Sequence, residues 1–158
     1  MDVAWKMNPV QEDSADSRTE MDIRVLYRDA LVGLDLTKFE GNKRLLRLQE
    51  WIQKNGTSQL SLTKAARISC LEPHYFSQVF HAHLGLTFRA WRLRYRVSMV
   101  LVEMCHSERN LHDIMRMCGY QERRSLERSV KRMTGMTPAK LRKWISRDSF
   151  APLKANIP

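Results

Sequence analysis

Within the nine residues from Arg123 to Lys131 the chain places Arg123, Arg124, Glu127, Arg128 and Lys131, interrupted by Leu126 and Val130. A guanidinium donates two parallel hydrogen bonds to guanine O6 and N7, and a carboxylate accepts from a cytosine amino group. Glu127 has a second use, pairing with a neighbouring arginine. At about 100° per residue Leu126, Val130 and Met133 share one narrow sector of a helix. Arg124, Arg128 and Lys131 fall in the opposite sector, with Glu127 and Arg132 at its margins and Arg123 at the helix start. A folded core gains nothing from such a face, whereas a major groove matches it.

A second, less charged copy of the layout lies upstream. Leu62, Ala65, Ala66, Cys70 and Leu71 recur 49 positions later as Leu111, Ile114, Met115, Gly119 and Tyr120. After one inserted residue, Phe76, Phe80, Gly85, Thr87 and Phe88 match Leu126, Val130, Gly135, Thr137 and Pro138. Each copy reads as short helix, tight turn and second helix, then a Gly that ends it and a Thr that caps the next helix. That is the layout of a helix-turn-helix DNA reader. In the first copy Phe76, Val79 and Phe80 point inward, leaving His74, Ser77, Gln78 and His81 outward. Gln78 suits a bidentate contact to adenine, while His74 and Ser77 donate to bases or phosphate.

These faces need positioning elements. Between the copies, residues 87–104 carry Trp91, Leu93, Val97, Val100, Leu101 and Met104 at helical spacing. A helix of about 17 residues spans roughly 25 Å, which with the bodies at its ends sets two reading helices about one turn of B-DNA apart. Upstream, Leu45, Leu46, Leu48, Trp51 and Ile52 mark a helix ending at Asn55-Gly56, and Ile23, Leu26, Tyr27, Ala30, Leu31 and Leu34 mark another. Thr19 and Asp22 are candidates to cap the latter. No useful alternating run argues for a strand, so the expected fold is all-α: two helix-turn-helix subdomains joined by a long linker helix, about seven helices plus an N-terminal amphipathic helix. The boundaries read as a flexible acidic leader (1–20), the amphipathic helix (21–40), the first subdomain (41–86), the linker (87–105), the second subdomain (106–147) and a tail (148–158).

Composition narrows the partners. Across 158 residues the formal charge is +10. The first 40 residues carry 5 Lys and Arg against 9 Asp and Glu, so the basic module begins after them. An anionic partner follows, nucleic acid before membrane, because the cations belong to two compact units rather than one long amphipathic helix. The N-terminus has no export signal pattern and no apolar run approaches about 18 residues. Cys70, Cys105 and Cys118 are odd in number and without CxxC spacing, so a reducing cytosol fits and neither a zinc knuckle nor a disulfide framework does. Cys105-His106 lacks the flanks of a DNA-repair methyl acceptor. No cofactor, metal or catalytic constellation is read.

Two stretches, SLTKAARISCLEPHYFSQVFHAHLGLTFRAWRLRYRV and NLHDIMRMCGYQERRSLERSVKRMTGMTPAKLRKW, resemble the DNA-binding region of the AraC/XylS family of bacterial transcription regulators. The second is the more specific: Leu-x-x-Ile-x-x-x-x-Gly-Tyr, then Arg128 and Lys131, then Gly135-x-Thr137-Pro138-x-x-x-Arg142. Met115 and Val130 depart from the usual Ala and Phe, and the reading helices have their own residues, so the target site does not transfer. The resemblance implies a monomer-sized module on an asymmetric double-stranded DNA site, commonly an activator touching RNA polymerase. The short upstream segment is similar to that of stand-alone members.

The base-reading candidates are therefore His74, Ser77, Gln78, His81, Arg123, Arg124, Glu127 and Arg128. Arg92, Arg96, Lys131, Arg132, Lys140 and Arg142 are expected to contact phosphate or, in the linker and last helix, to brace the fold. Ile23, Leu26, Tyr27, Leu31 and Leu34 form either a brace against the first unit or a docking face for a partner or second copy. A docking face makes the rival function a protein-interaction factor for which DNA is secondary.

Overall fold

The computed structural model describes residues 23–147, of which the side chains of Ile23, Arg24 and Arg147 are not characterised. The expected leader over 1–20, its Thr19–Asp22 cap and the tail from 148 lie outside the described residues. Eight α-helices follow one another: α1 (Ile23–Leu34), α2 (Lys43–Asn55), α3 (Leu62–Ile68), α4 (Pro73–Leu84), α5 (Phe88–His106), α6 (Leu111–Met117), α7 (Arg123–Thr134) and α8 (Pro138–Arg147). A single 3-10 turn, Thr37–Phe39, sits between α1 and α2, and no strand occurs among the described residues. The all-α architecture read from the sequence is the one observed.

Short polar side chains start most of these helices. Asn42, Ser61, Thr87 and Asn110 each accept from a backbone N–H two or three residues on, and Thr137 Oγ1 accepts from Lys140 N. Such caps satisfy donors that a first turn leaves open. Pro73 and Pro138 occupy the first helical position of α4 and α8, where no N–H is needed. Gly85 and Gly135 close α4 and α7 in the left-handed conformation, at φ 73° and 72°.

The repeat holds in backbone detail. After α3, Cys70 N donates to Arg67 O and Leu71 N to Ala66 O; after α6, Gly119 N donates to Arg116 O and Tyr120 N to Met115 O. Both are the paired bonds of a Schellman turn, which needs a left-handed residue at its centre. Gly119 supplies it at φ 77°, and Cys70 adopts it at φ 54° as the one non-glycine residue with positive φ among those described.

Two apolar clusters hold the two units. The first is aromatic: Phe39, Phe76, Phe80, Phe88 and Trp91 pack with ring centroids 5.4–5.9 Å apart, beside Leu45, Leu48, Ile52 and Leu60. Most of these pairs are edge-to-face, the arrangement ring quadrupoles favour. The second is aliphatic, with Val97, Val100, Leu101, Ile114, Leu126, Val130 and Leu141 at its centre. Helix α5 feeds both, Phe88 and Trp91 into the first and Val97 to Cys105 into the second.

Helix α1 corrects one expectation. It packs along α5 and joins the second cluster through Leu26, Tyr27 and Ala30, instead of bracing the first unit. The helices run antiparallel: Gly33 lies against Ser98, and the Tyr27 hydroxyl hydrogen-bonds His106. A Cβ at Gly33 would come within 2.2 Å of Ser98 Oγ and 3.2 Å of its Cβ, so a larger residue here requires the Ser98 side chain to give way. The first unit needs no such cover because Phe39, fully buried, already closes its aromatic core. Leu31, counted with the apolar face in the sequence, is 46% exposed; the buried stripe is centred on Leu26, Tyr27, Ala30 and Gly33, and Leu34 sits half-buried at its edge.

Candidate nucleic-acid interface

Helix α4 presents its polar side as expected, and the structure adds how it is held. Glu72, just before the helix, accepts from His74 N and Tyr75 N at 2.9 and 3.1 Å. Those two backbone bonds hold its carboxyl below the usual carboxylate range. His74 and Gln78 are exposed and joined across one turn by a 3.2 Å hydrogen bond. Ser77 is half-buried, and its hydroxyl donates to Pro73 O at 2.9 Å, so its lone pairs face outward as acceptors. His81 is exposed further along. Beneath them Phe76 and Phe80 anchor the helix in the aromatic core.

Helix α7 has the opposite electrostatics on the same scaffold. Arg123 Nε and Glu127 Oε1 form a 2.7 Å ion pair across one turn, so Glu127 takes the pairing role weighed for it. Arg124, Arg128, Lys131 and Arg132 are exposed and make no hydrogen bond or ion pair with the described residues through their side chains. Lys140, at the start of α8, is also exposed. Leu126 and Val130 are fully buried below.

Two flanking residues escaped the sequence reading. Tyr75 is 51% exposed at the first turn of α4, between His74 and the buried Phe76, and its counterpart 50 positions later is Ser125 on α7. Both lie about a quarter-turn off the centre of the outward face. The signal was available in the angular arithmetic, but a tyrosine beside two phenylalanines reads as core.

Of the six residues expected at phosphate or in bracing, three have engagements inside the fold. Arg92 donates to Leu60 O and Arg142 to Arg109 O. These are the same bond in the two copies, since 92 and 142 are 50 apart and 60 and 109 are 49 apart. Each ties the helix following a unit to the loop preceding that unit's first helix. Arg96 Nη2 donates to Thr57 O and Ser58 O at 2.7 and 2.9 Å. Burial pushes the guanidinium pKa of both Arg92 and Arg96 down from the ordinary arginine value. Lys131, Arg132 and Lys140 remain outward-facing.

The cysteines divide likewise. Cys105 and Cys118 are buried among apolar neighbours, and loss of solvent pushes their thiols up to about 11 and about 12. Both therefore stay protonated near neutral pH. Among the described residues no group of three or more His, Cys, Asp or Glu is placed to hold a metal ion, and no helix is long and apolar enough to cross a membrane.

Residues 65–143, half of the chain, match the model of a helix-turn-helix domain. The chain belongs to the AraC-type helix-turn-helix family. Members of that family are DNA-binding transcription regulators. Among curated relatives the chain is 25% identical over 111 residues to the regulatory protein PocR of Salmonella typhimurium, covering 70% of this chain and 37% of PocR. It is 20% identical over 118 residues to the probable transcriptional regulator LumQ of Photobacterium leiognathi, covering 75% of this chain and 47% of LumQ. The chain thus spans less than half the length of these relatives. A solved protein of unknown function from Listeria innocua superposes with a TM-score of 0.57 at 26% identity, over 63% of this chain and 95% of that one. The AraC-type match encloses α4, both helix-turn-helix turns, α5 and α7, so the outward faces of α4 and α7 both lie inside it.

Proposed function

We propose that this chain is a sequence-specific double-stranded DNA-binding regulator of transcription that inserts α4 and α7 into adjacent major grooves of an asymmetric promoter site. The observation that carries the reading is the pair of matching helix-turn-helix units, each with a buried apolar side and an outward side of hydrogen-bonding residues. On α7, Arg124 and Arg128 read guanines, and Arg123 with its partner Glu127 frames the first turn. On α4, His74 and Gln78 read as a hydrogen-bonded pair, Ser77 accepts, and Tyr75 lays its ring against a thymine methyl. Lys131, Arg132 and Lys140 neutralise phosphates. The functional divisions follow the two units, 41–86 and 106–147, and the linker over 87–105. The regulator acts as an activator in the cytoplasm with RNA polymerase as its protein partner, as the family resemblance implies.

The test is selection of bound sequences from a random duplex library at about physiological salt, followed by titration of the enriched site at several salt concentrations. The reading expects a motif of two unlike elements about one helical turn apart. Binding that enriches no motif and simply fades as salt rises would overturn it and leave a nonspecific basic module.

A further inference from the structure

Arg96 stands apart from the repeat. The shared brace is Arg92 to Leu60 O in the first unit and Arg142 to Arg109 O in the second. One turn beyond Arg92, α5 carries Arg96, whereas one turn beyond Arg142, α8 carries Ser146, whose hydroxyl donates to its own helix at Arg142 O. Whatever Arg96 does belongs to the junction between the units and not to the making of a unit.

Its surroundings show what it joins. On one side it donates to Thr57 O and Ser58 O, in the loop that leads into α3 of the first unit. On the other its guanidinium lies 5.9 Å from the ring centre of Tyr120, in the turn between α6 and α7 of the second unit. At the same place the two units touch directly. A Cβ built on Gly119 would come within 2.4 Å of Ser58 Cα, backbone against backbone, and its φ of 77° already favours glycine. Thr57 and Tyr120 are both buried on the inner side of the contact, while Ser58 is exposed and Gly119 half-buried at its outer edge. Arg96 Nε is itself buried with no hydrogen-bond partner. Burying a cation with part of its donor capacity unmet is a poor way to gain stability, and fixing a geometry is the better-attested use of such groups.

The units have separate apolar cores, linked through α5 and the α1 laid along it. We propose that Arg96, with the Ser58–Gly119 contact, is a positioning residue that sets the spacing and phase of the two reading helices, and hence the separation of half-sites the protein accepts. The inference rests on the bipartite reading above.

The experiment measures affinity of the full chain for duplexes carrying the selected site with its spacer shortened by one base pair, unchanged, or lengthened by one or two. Each added base pair moves one half-site by about 3.4 Å and turns it by about 35°. Wild type is expected to favour its own spacing over a one-base-pair insertion by at least about tenfold, and Arg96→Met by no more than about threefold. Arg96→Lys, which keeps a donor, should recover part of the preference. Gly119→Ala wedges the same contact open with Arg96 intact and should relax the preference in the same way, which keeps the test decisive if either variant folds poorly. Equal loss of affinity at every spacing would mark Arg96 as merely structural and overturn the proposal, as would an unchanged spacing preference. A wild-type protein that selects no two-part motif removes the bipartite reading itself, a distinguishable failure.

Discussion

The two helix-turn-helix units share a backbone, their caps and an arginine brace, and differ in what fills and faces them. The first fills its core with five aromatic rings, packed mostly edge-to-face, and shows the solvent a helix face of His, Tyr, Ser and Gln. The second packs branched and straight aliphatics and shows arginine and lysine. The difference teaches that caps, the left-handed turn and the terminal glycine define the unit, while core chemistry and surface chemistry vary independently around them. Under the proposed function it predicts a division of labour in which α7 supplies the electrostatic grip and α4 contributes discrimination with little of it.

The largest expected effect tests the cores. Phe80 touches Phe39, Phe76, Phe88 and Trp91, so Phe80→Ala should lower unfolding stability by about 3–5 kcal/mol in a urea titration. Val130→Ala, at the matching place, removes fewer atoms and should cost less. Equal costs would mean the aromatic cluster is no tighter than the aliphatic one. Next come the reading faces: Arg128→Ala and Gln78→Ala should each lose about 1–3 kcal/mol on the selected site and relax preference at one base. Only the arginine variant should also flatten the salt dependence, read as the slope of binding against salt. A slope change for Gln78→Ala would erase the division between the helices. Lys131→Ala, smaller again, should weaken all sequences alike and lower that slope by about one unit.

The smallest effect concerns how the reading helices begin. Glu72 caps α4 with its carboxylate, whereas Glu122 at the start of α7 makes no side-chain cap bond. Glu72→Ala should lower the melting temperature near neutral pH and Glu122→Ala should leave it unchanged. Because hydrogen bonds depress the folded pKa of Glu72, its contribution is present above the ordinary carboxylate pKa. It fades as pH falls through the lowered folded value, so the melts of wild type and Glu72→Ala should converge in acid.

Most of this arrangement was legible from periodicity. Leu126 and Val130 at a four-residue step located the inner side of α7, and the recurrence of Gly-x-Thr located both unit ends. The burial of Phe76 and Phe80 was read the same way. What stayed hidden were contacts between segments distant in sequence. Arg92, Arg96 and Arg142 read equally as phosphate contacts or braces, because a guanidinium serves a phosphate oxygen and a backbone carbonyl alike. The choice depended on where residues 57–60 and 109 fell in space. Helix α1 was visible as an amphipathic helix, but which surface its stripe matched depended on Gly33 allowing the approach to Ser98.

The separation of the two cores along α5 also shapes how the molecule comes apart. Its first turns are held by rings of one cluster and its later turns by aliphatics of the other, with α1 splinting only that later part. The chain is thus built as two cooperative blocks sharing one rod, and local opening follows that division. Trp91 lies in the first block, with Trp51 packed against it, and Trp144 lies against the second. Amide exchange is therefore expected to fall into two groups, one for the aromatic block and one for the block splinted by α1, with residues at the Arg96 tie following the slower of the two.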